Sequence, residues 1–319
     1  MQLFSSCCGR GSAGDKEAKT EPPRKIFSLK ELHAATNSFN YDNKLGEGRF
    51  SSVYWGQLSD GSQIAVKRLK SWTNREDINF TLVVEILSRI RHKNLLSVRG
   101  YCNEGQERLL VYEYMPNLSL VSHLHGQHSA ECILDFHGDV RASNVLLDSE
   151  FEARVTDFGY GKLMPEDEAK SNNNNNGYLS PECVASEAGD VYSFGILLLE
   201  LVSGKRAKLG LTEWVLPLVY ERKFGEIVDQ RVKEEDVGEG LKKVVLVGLL
   251  CAQREAEMRP TMSQVVEMLM NESKEKMSEL ECNPLFKKPC SSGDENHRED
   301  QEGADVITEE KDDHHQQQE

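Results

Sequence analysis

Four polar residues between positions 67 and 157 have the types and order needed to move a phosphoryl group. Lys67 ends the run Ile64-Ala65-Val66-Lys67, where an ammonium can hold phosphate oxygens. One strand earlier, Leu45-Gly46-Glu47-Gly48-Arg49-Phe50-Ser51-Ser52-Val53 sets two glycines where backbone N–H groups can approach phosphates without Cβ clashes. Ser51 stands at the third glycine of a G-x-G-x-x-G pattern. In His137-Gly138-Asp139-Val140-Arg141-Ala142-Ser143-Asn144, Asp139 can orient or deprotonate an acceptor hydroxyl, and Asn144 can hold Mg²⁺. Asp157, opening Asp157-Phe158-Gly159, supplies a second hard oxygen ligand for that metal. Each motif is common by chance, but the ordered set is not. The implied cofactors are ATP and Mg²⁺, with Asn144 and Asp157 as metal ligands.

These residues need a sheet first and helices after it. From Asn43 to Tyr114 the chain reads as short β-branched runs: Lys44–Gly46, Ser52–Gln57, Gln63–Leu69, Leu95–Cys102 and Arg108–Tyr114. One helix, about Arg75–Ile90, interrupts them. Beyond Met115 the periodicity predicts helices over Gly189–Ser203, Leu211–Glu221, Gly240–Ala252 and Thr261–Leu280. Ahead of the sheet, Phe27 to Phe39 predicts a short helix capped by Ser28. Glu31 completes a capping box, and Phe27 with Leu32 forms a hydrophobic staple.

The 319 residues suffice for a two-lobed domain with tails. The net charge is −15, but eleven acids against two bases from Ser291 onward place −9 of it in the tail. The rest is mildly acidic, which argues against a nucleic-acid partner. Eight cysteines without a CxxC motif fit reduced thiols in a cytoplasmic protein. No signal peptide is expected, and the longest apolar run, Val244 to Ala252, is too short to span a membrane. Gln2 argues against N-myristoylation, whereas Cys7 and Cys8 are candidates for S-palmitoylation and reversible association with the plasma membrane. His123, His125 and His128, with Cys132, match no standard zinc spacing and read as a solvated stretch.

Phe27-Ser28-Leu29-Lys30-Glu31-Leu32, Ala35-Thr36 and Phe39 resemble the lead-in of receptor-like kinases. Arg91-His92-Lys93-Asn94-Leu95 and Gly100-Tyr101-Cys102 strengthen the match. The chain resembles receptor-like cytoplasmic protein kinases, nearest the Pti-like subgroup, over roughly 27 to 289. That resemblance implies an α+β bilobal fold, phosphotransfer to protein hydroxyls, protein substrates and an upstream receptor-like kinase. Composition reads 1–24 as a disordered leader and 283–319 as an acidic disordered tail; between them the resemblance implies a pre-kinase helix over 25–43, an N-lobe over 44–115 and a C-lobe over 116–282. It also implies that Gly46, Glu47, Gly48, Val53 and Ala65 line the nucleotide. The hinge, Glu113-Tyr114-Met115, supplies Glu113 and Met115 beyond a gatekeeper Tyr112. Arg141 stands beside Asp139 where serine/threonine kinases usually have lysine and some tyrosine kinases have arginine, so both acceptor types stay open. Ser180-Pro181-Glu182 fills the A-P-E place, with Arg259 as the expected partner of Glu182.

Three departures from the family pattern bear on activity. The glutamate that should pair with Lys67 is Val83, and Glu85 lies about 200° around the helix, facing away. Gly138 replaces the arginine that grips a phosphorylated activation loop. Only twenty-two residues separate Met115 from His137, which leaves no sequence for the long buried helix that should follow the hinge. Such a helix is worth roughly 9–18 kcal/mol of packing, comparable with the stability of a whole domain. The alternative function is therefore a catalytically impaired pseudokinase, or shortened isoform, acting as a binding protein.

Overall fold

The computed structural model describes residues 25–48, 51–70, 80, 84–85, 87, 89–126, 140–157, 177–183, 186–232 and 238–288. The small lobe is a six-stranded sheet. Its strands are β1 (Lys25–Ile26), β2 (Lys44–Glu47), β3 (Ser51–Gln57), β4 (Gln63–Leu69), β5 (Val98–Glu104) and β6 (Glu107–Glu113). Their order across the sheet is β1-β5-β6-β4-β3-β2, antiparallel except where β1 pairs with β5.

Alternation along β4 sorts its side chains between two cores. Ile64 and Val66 pack with Phe27, Leu32, Leu109 and Val111 on one face. Ala65 and Leu69 pack on the other, with Phe80, Leu110 and Tyr112. The lead-in belongs to the first of these cores. Helix α1 (Leu29–Ala35) starts at Ser28, whose hydroxyl accepts from Glu31 N at 3.1 Å. The Glu31 carboxylate turns to Lys25 Nζ at 2.6 Å, so the expected box forms only in half. Gly100 admits this arrangement, because a Cβ there would lie 2.0 Å from Lys25 O and 2.6 Å from the Phe27 ring.

Residues 80, 84, 85, 87 and 89 are helical. Phe80 and Leu87 are buried, while Glu85 is exposed and pairs with Arg89 at 2.5 Å. That register turns Glu85 outward, as its spacing predicts.

The large lobe begins with α2 (Leu120–His125) and the hairpin β7 (Val145–Leu147) and β8 (Ala153–Val155). Helix α3 (Glu187–Ser203) follows, capped by Ser186 and stopped by the left-handed Gly204. Then come α4 (Leu211–Tyr220), α5 (Phe224–Ile227) and α6 (Glu239–Cys251). The core is α3 against α6, where Gly195 and Gly248 allow close approach.

The predicted helix over Thr261–Leu280 is two helices, α7 (Met262–Met270) and α8 (Lys274–Glu281). Asn271 Oδ1 accepts from Ser273 N at 2.9 Å, and Ser273 caps α8, so short polar side chains compete with the helical ladder. The ordered lobe also runs past 282. The turn Pro284–Phe286 places Leu285 and Phe286 against the large core. Burial pushes the thiols of Cys102 and Cys251 up to about 11 and about 12, which keeps them protonated and unreactive.

Candidate active site

Strand register assembles one wall of the site. Val53 lies directly opposite Lys67 on β3–β4, and Ala65 lies opposite Tyr112 on β4–β6. Cross-strand partners share a face, so Val53, Ala65, Lys67, Leu110 and Tyr112 line the same side. Gly46 pairs with Val53, and Gly48 N donates to Ser51 O at 2.8 Å. Ser51 is two residues from Val53 and shares its face. Its hydroxyl is fully buried and makes no hydrogen bond. Glu47 carries a carboxylate held by Lys44 and Lys70, whose hydrogen bonds bring it down to about 2. That side chain is committed to the turn itself. Glu113 ends β6 opposite Ile64, and Met115 is buried just beyond it.

The β7–β8 hairpin forms the facing wall. Val145 pairs with Val155, so Asn144 and Thr156 meet across its open end, where Thr156 N donates to Asn144 O at 2.8 Å. Asp157 is the next residue, so the hairpin sets Asn144 and Asp157 side by side. Leu96 N donates to Val155 O and Val155 N to Asn94 O, tying the hairpin to the small lobe. Leu147 N donates to Leu118 O on its other side.

Lys67 and Asp157 join the two walls. Lys67 Nζ lies 2.7 Å from Asp157 Oδ1, with the lysine side chain 3% and the aspartate 13% exposed. Asp157 has φ of 60°, a left-handed conformation that costs a non-glycine residue roughly 1–3 kcal/mol and concentrates at functional sites. Asp139 lies outside the described residues, as do Val83, Gly138, Cys7 and Cys8. Arg141 is buried at 2% exposure, with its guanidinium 5.5 Å from the Tyr178 ring.

A buried polar cluster supports this region from below. Tyr178 donates its hydroxyl to Glu200 Oε2 and accepts from Ala142 N at 3.1 Å. Burial, reinforced by Glu200, pushes the Tyr178 phenol up. His125 Nε2 lies 2.8 Å from Glu200 Oε1, and its side chain is 7% exposed. The solvated reading of His125 is thus corrected, because α3 covers it with a carboxylate that local sequence cannot reveal. Tyr178 was equally hidden, and only its place just before Ser180-Pro181-Glu182 could have marked it. Glu182 meets Arg259 through two hydrogen bonds, of 2.6 and 2.8 Å, as expected. Among the described residues, no group of His, Cys, Asp and Glu could hold a metal by itself. No helix among them is long and apolar enough to cross a membrane.

A β-sheet lobe over a helical lobe, with a buried lysine meeting an aspartate between them, defines a protein kinase domain. The chain belongs to the protein tyrosine and serine/threonine kinase family, whose profile matches residues 39–135 and 128–269. It is 68% identical to a PTI1-like tyrosine-protein kinase of Arabidopsis thaliana, covering the whole of both chains. It is 36% identical to the probable LRR receptor-like serine/threonine-protein kinase RKF3 of the same plant, over 76% of this chain and 46% of that one. Against such receptor-like relatives the chain spans about half their length. Among solved structures it is similar to the pseudokinase domain of BIR2, an immune regulator of the RLK/Pelle family. The TM-score there is 0.61 and the identity 29%, over 82% of this chain and 88% of that one.

Two details bear on the shortening. The alignment with the PTI1-like relative spans 363 positions against 319 residues, so 44 positions have no residue here. The family match breaks into two pieces that meet at 128–135, inside the interval between hinge and catalytic loop that the sequence marks as short.

Proposed function

We propose that the chain transfers the γ-phosphoryl group of ATP to a protein hydroxyl, with Lys67, Asp139, Asn144 and Asp157 as its working residues. The observation that carries this reading is the 2.7 Å contact between Lys67 and Asp157. It brings a phosphate-binding cation and a hard metal ligand into one cleft. The donor set fits the cofactor: an amide and a carboxylate oxygen suit Mg²⁺, and an ammonium suits phosphate. The unpartnered Ser51 hydroxyl on the Lys67 face is a further donor for a phosphate oxygen.

When bound, Mg·ATP supplies the transferable group and the metal charge that offsets it. The chain supplies position. Gly46, Glu47 and Gly48 offer backbone N–H groups, Val53 and Ala65 an apolar wall, and Glu113 and Met115 hinge backbone. Asn144 and Asp157 would hold the metal. Asp139 would accept the acceptor proton as the hydroxyl oxygen bonds to the γ-phosphorus and the bond from that phosphorus to the β-phosphate oxygen breaks, leaving ADP. Arg141, two residues on, is compatible with either a Ser/Thr or a Tyr acceptor. In this reading 44–115 and 116–288 are the two lobes, the partners are protein substrates and an upstream receptor-like kinase, and the site is cytoplasmic. Cys7 and Cys8, once acylated, hold the protein reversibly at the plasma membrane. A Cys7→Ser/Cys8→Ser double variant is expected to move it to the soluble fraction, and unchanged partitioning would refute the anchor.

A second reading is a pseudokinase acting as a binding protein. Val83, Gly138 and the 44 absent positions favour it, and Lys67 is already engaged by Asp157. Radiolabelled ATP with a generic acceptor protein separates the two. Transfer is expected from the chain and is expected to fall by at least about 10³-fold in Asp139→Asn, given what a catalytic base and positioned hydroxyl contribute. Transfer that is undetectable, or equal in the two proteins, leaves the pseudokinase reading.

A further inference from the structure

The loop between α3 and α4 carries a cationic groove that phosphotransfer does not use. Lys205, Arg206 and Lys208 are exposed. With Leu209, Leu211 and Trp214 they line an open cavity of about 380 Å³. Lys205 Nζ stands 4.6 Å from the Trp214 ring centroid, so cationic groups sit over an apolar floor. The loop is held in place from beneath. Ala207 N donates to Glu200 Oε1 at 3.0 Å, Gly177 N to Ala207 O at 3.3 Å, and Lys205 N to Ser203 Oγ at 3.2 Å. The nearest acid on α4, Glu213, accepts from the Thr212 hydroxyl.

We propose that this groove docks the acidic C-terminal segment of the same chain, residues 290–319. Charge argues for it first: eleven acids against two bases meet three cations within four positions. The segment also carries Val306-Ile307 among its acids, a match for the Leu209 and Trp214 floor. Reach argues for it next. The turn Pro284–Phe286 packs against α4, and Lys288 acts on Glu221 at the C-terminal end of that helix. The groove lies at the other end, about 15 Å away for ten residues of helix. Asp294 and Glu295 follow Lys288 by six and seven residues, which extend to roughly 20 Å. A tether of that length keeps the segment at an effective concentration on the order of mM, so contacts too weak to hold a free peptide can hold this one.

Carbodiimide cross-linking of the full chain, read by peptide mass spectrometry, tests the docking. Amide links are expected between Lys205 or Lys208 and carboxylates among Asp294 to Asp313, within monomers. Raising salt to about 0.5 M should cut their yield about fivefold or more, because the Debye length then shrinks to a few ångströms. A Lys205→Gln/Arg206→Gln/Lys208→Gln variant should lose tail links at the groove. If that variant fails to fold, the salt series on the unaltered chain still decides. Links to Lys205 and Lys208 no more frequent than links to exposed Lys30 would overturn the proposal. Tail links confined to cross-linked dimers would assign the groove to a second copy instead.

Discussion

Replacing Arg259 with alanine is expected to cost about 3 kcal/mol of folding free energy, the low end of the range for removing one partner of a buried ion pair, because Glu182 keeps 27% of its side chain exposed. The Arg259 side chain is 1% exposed and donates to both Glu182 oxygens. It also donates to Ala188 O, Gln253 O and Arg254 O, so it joins the Ser180-Pro181-Glu182 segment to the start of α3 and to the turn after α6. Alanine would strand a carboxylate and three carbonyls together. Whole domains have only about 5–15 kcal/mol to lose. The effect carries a pH signature. Hydrogen bonds from Arg259 hold the Glu182 carboxyl below its ordinary value. A depressed carboxylate stabilises the fold fully above its unfolded value and loses that contribution as pH falls through the lowered one. The gap between wild type and Arg259→Ala should therefore be largest near neutrality and shrink on acidification. Urea melts at pH 7 and pH 4 measure both. A gap below about 1 kcal/mol at pH 7 would mean that the pair is no better than a surface one.

Gly195→Ala is expected to destabilise the large lobe by about 1–3 kcal/mol, although alanine is the better helix former by about 1 kcal/mol. A Cβ at 195 would stand 2.6 Å from Gly248 O, 2.7 Å from Cys251 Cβ and 2.8 Å from Ala252 N. Two of these atoms are backbone, one in α6 and one in the residue that caps it, so no side chain can turn aside and the helices must part. Gly240→Ala is the control. It lies in α6 with nothing within 4 Å of a new Cβ, so propensity alone should act, and stability should rise slightly. Thermal melts of the pair should move in opposite directions. Parallel shifts would show that close packing of α3 on α6 is not what glycine serves at 195.

Much of this was legible from residue order. β3 and β4 follow from alternation, and their register then fixes Val53, Ala65 and Lys67 on one face without further information. Helix α3 is bounded by its own Ser186 and Gly204. What was hidden depends on residues far apart in the chain. His125 sits in a polar stretch, and its burial comes from Glu200, 75 residues later. The Lys67–Asp157 contact joins two motifs readable singly, but their direct pairing depends on how the lobes meet. β1 is two residues long and pairs in parallel with a strand more than seventy residues on, too short for any periodicity to announce. The break in Thr261–Leu280 was missed for the opposite reason. Apolar spacing runs on through Asn271-Glu272-Ser273, while side-chain hydrogen bonds at two of those residues end one helix and begin another.

That short first strand has a bearing on solubility. Lys25 and Ile26 lie alongside Gly100 and Tyr101, and Phe27 N donates to Tyr101 O at 2.9 Å. They occupy the middle of a strand that would otherwise end the sheet with open donors and acceptors. An uncovered edge of that kind is a template for pairing with a neighbouring molecule. A polypeptide begun at Phe27 would keep that core side chain and the Ser28 cap, yet it would present β5 to other copies of itself. Its failing would be self-association, a defect of the surface with the core left intact.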